Sequence, residues 1–263
     1  MKSRILVSVV GIPVLVWVVL CAPTFFIALA LMALAGIGAY EMMKCVGGEK
    51  PLLGLTVLFA MMSVLWHYSR PEYITLLWTT YVVAAFIYAI VKAGEVKFQQ
   101  IMAGIFSAVI IPYSFSAFLR IEATGIHRAY LLLPFILSFA CDTFAYFTGL
   151  AIGKHKLAPK VSPKKTIEGS IGGICGNVVC GCIFAFVMDR FFGAGIGYGP
   201  MIILALCCAV VAQVGDLSFS LIKREFGVKD YGKLFLEHGG VLDRFDSVLF
   251  VTPVIEIVLQ MVK

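Results

Sequence analysis

The sequence predicts an all-α integral membrane protein of about nine transmembrane helices, and three observations carry that prediction. Of the 263 residues, 61% are hydrophobic and only 14% are charged, whereas soluble domains run near 45–50% apolar and about 25% charged. That leaves too little charge to cover the outside of a soluble domain of this length, while the abundance of apolar and aromatic residues excludes intrinsic disorder. Charge-free runs of about 18 or more residues recur along the chain, the length a helix needs to cross about 30 Å of hydrocarbon. The third observation is that the cations collect in alternate connections, as they do when helices cross a membrane repeatedly.

The spans follow in order from apolar runs bounded by charge, Pro and Gly. Lys2 and Arg4 precede the first, Ile5 to Ala22. No small-residue cleavage pattern stands before Pro23, so this segment reads as a membrane span and not as a signal peptide. Residues 5–40 are free of charge; as one helix they would reach about 54 Å at 1.5 Å per residue, so they predict a tight pair turning at Pro23. The second span is Thr24 to Met42, followed by Pro51 to Tyr68, Tyr73 to Val91, Phe98 to Leu119, Ala129 to Ile152, Ile167 to Met188, Gly197 to Leu221 and Ser247 to Val262. We expect one continuous membrane domain in two parts, a scaffold over residues 1–128 and a region over 129–263 that carries the two long polar segments. The eight cysteines lie mostly in apolar runs and read as small hydrophobes.

Nine spans place 16 of the 21 Lys and Arg on the side of the N-terminus and 5 on the other. Because cations stay in the cytoplasm, the N-terminus is expected there, with a polar site at the cytoplasmic interface. Two segments on that side, 154–168 and 216–246, hold 17 of the 36 charged residues. The net charge of +6 thus marks sidedness and calls for no nucleic-acid partner.

In the second segment, Asp216 follows the apolar run Met201 to Val214. An ionised Asp at a membrane helix centre costs about 2.5–3.5 kcal/mol on insertion scales, so a cation or metal partner is expected. Asp243 and Asp246 are spaced i, i+3 and share one face if the last helix begins near them. With Asp216 they could bind Mg²⁺, which prefers a few carboxylates plus phosphate oxygens. Gly239 and Gly240 permit close backbone approach or positive φ. Lys223, Arg224, Lys229 and Arg244 supply charge for phosphates, or, more simply, contact anionic headgroups.

The run Ser220-x-x-Lys223-Arg224, Lys229-Asp230, His238-Gly239-Gly240-x-x-Asp243-Arg244-x-Asp246 resembles the signature of the phosphatidate cytidylyltransferases. Leu236 and Glu237 stand where that family usually has Pro-Gly. The string Ser162-Pro163-Lys164-Lys165-Thr166-x-Glu168-Gly169 is similar to the family's second stretch, and the Asp142-Thr143 pair in the sixth span has a counterpart there too. From residue types alone, Pro159 and Pro163 forbid a continuous helix, so 153–166 is expected as an irregular loop. Thr166 and Glu168 then fall at a helix N-terminus that favours an anion.

The resemblance implies the reaction of CTP with phosphatidic acid to give CDP-diacylglycerol and pyrophosphate. It implies Mg²⁺, with room for a second cation, on Asp216, Asp243 and Asp246. Lys223 and Arg224 join these carboxylates in catalysis. Ser162, Lys164, Lys165, Lys229, Asp230, His238, Gly239, Gly240, Arg244 and Asp142 are expected to bind substrate. A bacterial plasma membrane is the expected location, and pairing of two copies is left open. Two alternatives remain: a CTP-dependent kinase of a lipid alcohol, and an ion-coupled transporter using Asp142 and Asp216. Glu41 and Glu256 are expected to be solvated or to make helix contacts, and His155 to have no spaced partner.

Overall fold

The computed structural model describes residues 13–14, 16–234 and 239–262. Most of the first expected span, Ile5 to Ala22, lies outside the described residues, although residues 16–21 are helical. Among the described residues, eight helices are long and apolar enough to cross a membrane, and the protein is an all-α integral membrane protein. The helices are α1 (Thr24–Cys45), α2 (Lys50–Ser69), α3 (Ile74–Val91), α4 (Phe98–Ala123), α5 (Leu133–Ile152), α6 (Ile167–Phe192), α7 (Tyr198–Glu225) and α8 (Leu242–Val262). Prolines open several of them: Pro23 precedes α1, Pro51 lies in the first turn of α2 and Pro134 in that of α5, where no intrahelical N–H is needed. Pro112 is an interior proline in α4, and the turn just before it, Phe106–Ile110, relaxes to π geometry, a recognised accommodation of a disrupted helix ladder.

Several ends differ from expectation by a few residues, and two of them move charged site residues onto helices. Helix α7 runs on to Glu225 and so carries Lys223 and Arg224 in its last turn, where cations complement the helix dipole. Helix α8 starts at Leu242 instead of Ser247, with Asp243 in its first turn. Charges that argue against a membrane span suit a helix N-terminus well.

The chain forms two compact units, residues 1–119 with 225–245, and residues 120–224 with 246–263. The segment 225–245 groups with the N-terminal helices. In the first unit, Met43, Leu52, Tyr81, Ala85, Ile101 and Ala108 form a buried cluster. Its polar groups are satisfied internally: Thr56 Oγ1 pairs with the Tyr81 hydroxyl at 2.7 Å, and Ser63 donates to the Ala108 carbonyl at 3.1 Å, as an apolar surround requires.

In the second unit, α5 packs against a glycine-rich face of α6 that brings the two backbones close. Glu256 of α8 makes an ion pair with Arg120 at 3.0 Å, so the expected helix contact is a charged one. The segment between α5 and α6 corrects the expectation of an irregular loop. It is an antiparallel hairpin, β1 (Lys156–Ala158) and β2 (Ser162–Thr166), with Ala158 opposite Ser162 and Lys156 opposite Thr166. Pro159 sits in the turn, and a two-stranded ribbon has outer edges that tolerate Pro163.

Candidate active site

The hairpin delivers cations to a cavity of about 520 Å³ in the second unit, within the range of small-molecule sites. Lys164 and Lys165 enter from β2, Asp142 and Tyr146 from α5, and Asp216 from α7. The hairpin is held on both sides. Thr166 caps α6, its Oγ1 accepting from the Gly169 N–H at 3.1 Å. Glu168 accepts from the Lys154 and His155 N–H groups and lies 2.6 Å from His155 Nδ1. His155 therefore has a partner that sequence spacing does not reveal, and Glu168 anchors the hairpin. On the other side, Arg224 Nε donates to the Val161 carbonyl at 3.3 Å, tying the end of α7 to the turn.

Asp216 finds the partner its place in an apolar helix demands: an ion pair with Lys165, both side chains about a quarter exposed (23% and 25%). Its second oxygen accepts from Ser220 Oγ at 3.3 Å. Gly215 sets what lies beside it. A Cβ there would fall 2.8 Å from the Asp246 carbonyl and 3.1 Å from the Phe250 ring, so the absence of a side chain lets α8 approach α7 at the level of Asp216 and Asp246. Asp246 is half-buried, and the charges of Asp216, Asp142 and Lys223 all act on its carboxyl. Gln213, which sequence reading passes over, also lines the cavity and exchanges hydrogen bonds with Ser170. Its position one helical turn before Asp216 is the signal that could have found it.

The first unit contains the glycine turn. Gly239 has φ +82°, a left-handed conformation that suits a residue without Cβ. Asp243 Oδ2 accepts from Tyr231 N–H at 2.8 Å and Gly240 N–H at 3.0 Å, closing the neck of the loop between them. The expected metal ligand is thus engaged in holding backbone. Gly240 does approach something closely, but it is the carboxylate of Glu41 on α1. His238 lies outside the described residues, as do Leu236 and Glu237. Lys229, Asp230 and Arg244 are exposed on the segment leading to and from this turn, and Ser162 is half-buried at the start of β2.

Among the described residues, no three His, Cys, Asp or Glu side chains are gathered to hold a metal. Mg²⁺ seldom needs such a cage, since it usually binds one or two carboxylates and completes its shell with phosphate and water oxygens. Asp216 and Asp246, near enough for the charge of one to act on the other, fit that requirement.

Residues 2–262 match the cytidylyltransferase family. The chain is similar to proteins named phosphatidate cytidylyltransferase. That of Staphylococcus haemolyticus is 31% identical over 265 residues, covering 98% of this chain and 99% of the relative. That of Staphylococcus aureus strain COL is 32% identical over 266 residues, with the same coverage. A third, from Staphylococcus saprophyticus, is 36% identical over 172 residues, 65% of this chain and 64% of the relative. With cavity, glycine turn and the Lys165–Asp216 ion pair all inside a match that spans nearly its whole length, the chain belongs to the cytidylyltransferase family.

Proposed function

We infer that the protein is a phosphatidate cytidylyltransferase, which transfers the CMP unit of CTP to phosphatidic acid and releases pyrophosphate. The structural observation that carries this reading is one cavity holding Lys164 and the Lys165–Asp216 ion pair, because the reaction needs phosphate-binding cations beside carboxylates. A phosphate oxygen of the lipid forms a bond to the α-phosphorus of CTP while the bond to the bridging oxygen breaks and its electron pair leaves with pyrophosphate. Both reactants are anions, so positioning and electrostatic stabilisation carry most of the work.

Lys164 and Lys165 are assigned to nucleotide phosphates, with Lys223 and Arg224 close by on the last turn of α7. Asp216 and Asp246 would hold Mg²⁺, whose chemistry is to neutralise phosphate charge and stabilise the leaving group. Asp142 adds charge to the same cavity, and Asp243 shapes the glycine turn. The 16 to 5 distribution of cations supports a site facing the cytoplasm, where CTP is found, and relatives from Staphylococcus support a bacterial plasma membrane location.

The test is purified protein with Mg²⁺, phosphatidic acid and CTP labelled on either the α- or the γ-phosphate. Label from the α position should enter lipid, with stoichiometric pyrophosphate. Label entering lipid from the γ position would instead make the protein a kinase, and flux through proteoliposomes without CTP consumption would make it a transporter.

A further inference from the structure

We propose that Glu41, on α1, is a positioning residue for the start of α8, a role that rests on the transferase reading above. Glu41 is 4% exposed, in a helix that is otherwise apolar up to Lys44. A buried carboxylate in such a helix needs strong partners, and it has two. Its Oε1 accepts from the Val241 N–H at 3.0 Å and its Oε2 from the Leu242 N–H at 2.9 Å. These are N–H groups at the helix start, which have no intrahelical acceptor.

The surrounding packing shows that the contact is built. One turn before Glu41 on α1, Gly38 leaves room for Leu242, whose Cδ2 would lie 3.1 Å from a Cβ at that position. Gly232 and Gly240 both lie against the Glu41 carboxylate, and neither has space for a side chain. Asp243 closes the same loop from its other side through Tyr231 and Gly240. Two carboxylates thus divide four backbone donors of residues 231–242 between them. The turn of α8 fixed in this way carries Asp243, Arg244 and Asp246.

The experiment compares Glu41→Gln, Glu41→Ala and Gly240→Ala with wild type in detergent. It measures kcat and KM for CTP per folded protein, and amide deuterium exchange over residues 239–244. Gln keeps one acceptor and opposes the second N–H with its own amide, so it should sit between wild type and Ala. The expected result is faster exchange at Val241 and Leu242, with kcat reduced about 10- to 100-fold, the loss typical of a displaced catalytic group, and a smaller change in KM. Gly240→Ala, whose added Cβ would fall on the Glu41 carboxylate, keeps the acid but forces it and the turn apart, and should show the same split. Turnover per folded protein within twofold of wild type in the Glu41 variants would overturn the role, as would unchanged exchange at 241 and 242. Wild-type protein that makes no CDP-lipid would overturn the reaction instead, and the exchange measurement would still decide the role of Glu41.

Discussion

Substituting Gly215 by Ala should separate the two carboxylates on which the proposed metal site depends. The added Cβ would lie 2.8 Å from the Asp246 carbonyl, where ordinary contact begins at 3.4 Å, a shortfall of about 0.6 Å. The obstacle is backbone, so it cannot swing aside as a side chain would, and Phe250 at 3.1 Å blocks the other direction. Either α8 moves outward near Asp246 or α7 turns. Overpacking of this kind costs about 1–3 kcal/mol of stability. A displacement of about 1 Å can cost about 100-fold in rate, and a shift of this size a good part of that. The expected outcome for Gly215→Ala is folded protein with a moderately lowered Tm, a kcat at least tenfold down and a raised Mg²⁺ requirement. CDP-lipid synthesis over a Mg²⁺ titration and thermal unfolding in the same detergent measure both effects. Wild-type turnover at wild-type Mg²⁺ would show that the approach of α8 to α7 at this level does not matter to the chemistry.

Asp246→Asn and Asp243→Asn should separate, although their spacing suggests equal roles. Loss of the charge beside Asp216 should reduce Asp246→Asn to background turnover. Asn at 243 keeps an acceptor for Tyr231 and Gly240 and should remain measurably active, whereas Asp243→Ala, losing two bonds worth about 1.5–3 kcal/mol each, should not; equal inactivity of both Asn variants would return Asp243 to the metal. Thr166→Ala removes the cap of α6 and should lower stability by about 1 kcal/mol, read as a drop in Tm that Thr166→Ser restores. A Tm unchanged in the Ala variant would mean that the hairpin, and not the cap, fixes this helix start.

The spans are legible in the sequence because each is a local property: an apolar run bounded by charge or proline reads the same in the chain and in the fold. What escapes is set by partners distant in sequence. Glu41 looks like a stray acid at a span end because its partners are backbone N–H groups about 200 residues away, and backbone donors leave no trace in residue type. The start of α8 is misplaced for the same reason, since Asp243-Arg244-x-Asp246 reads as a polar loop until an acceptor for its first N–H groups is known. The hairpin is hidden behind two prolines that exclude a helix but do not exclude a ribbon. Asp216 lies between these cases. The cost of its charge in an apolar run requires a cation, and the fold then selects Lys165 from five candidates in the 154–168 segment.

That choice has a consequence for ligand binding. In the cavity Lys165 and Asp216 compensate each other, yet the mechanism proposed above gives Lys165 to a phosphate and Asp216 to a divalent cation. Each ligand competes with the pair for one partner and thereby frees the other, so nucleotide and cation should each favour binding of the second. Replacing Lys165 by Met removes the competitor for Asp216 and leaves three carboxylates, Asp142, Asp216 and Asp246, with less positive charge around them. A charge-assisted bond of this type is worth about 1.5–3 kcal/mol, and 1.4 kcal/mol corresponds to about tenfold in affinity. Lys165→Met should therefore bind Mn²⁺, used as a spin probe in the absence of nucleotide, about tenfold more tightly than wild type, while binding CTP more weakly. Loss of both affinities together would mean that the ion pair organises the cavity instead of holding its two ligand groups in balance.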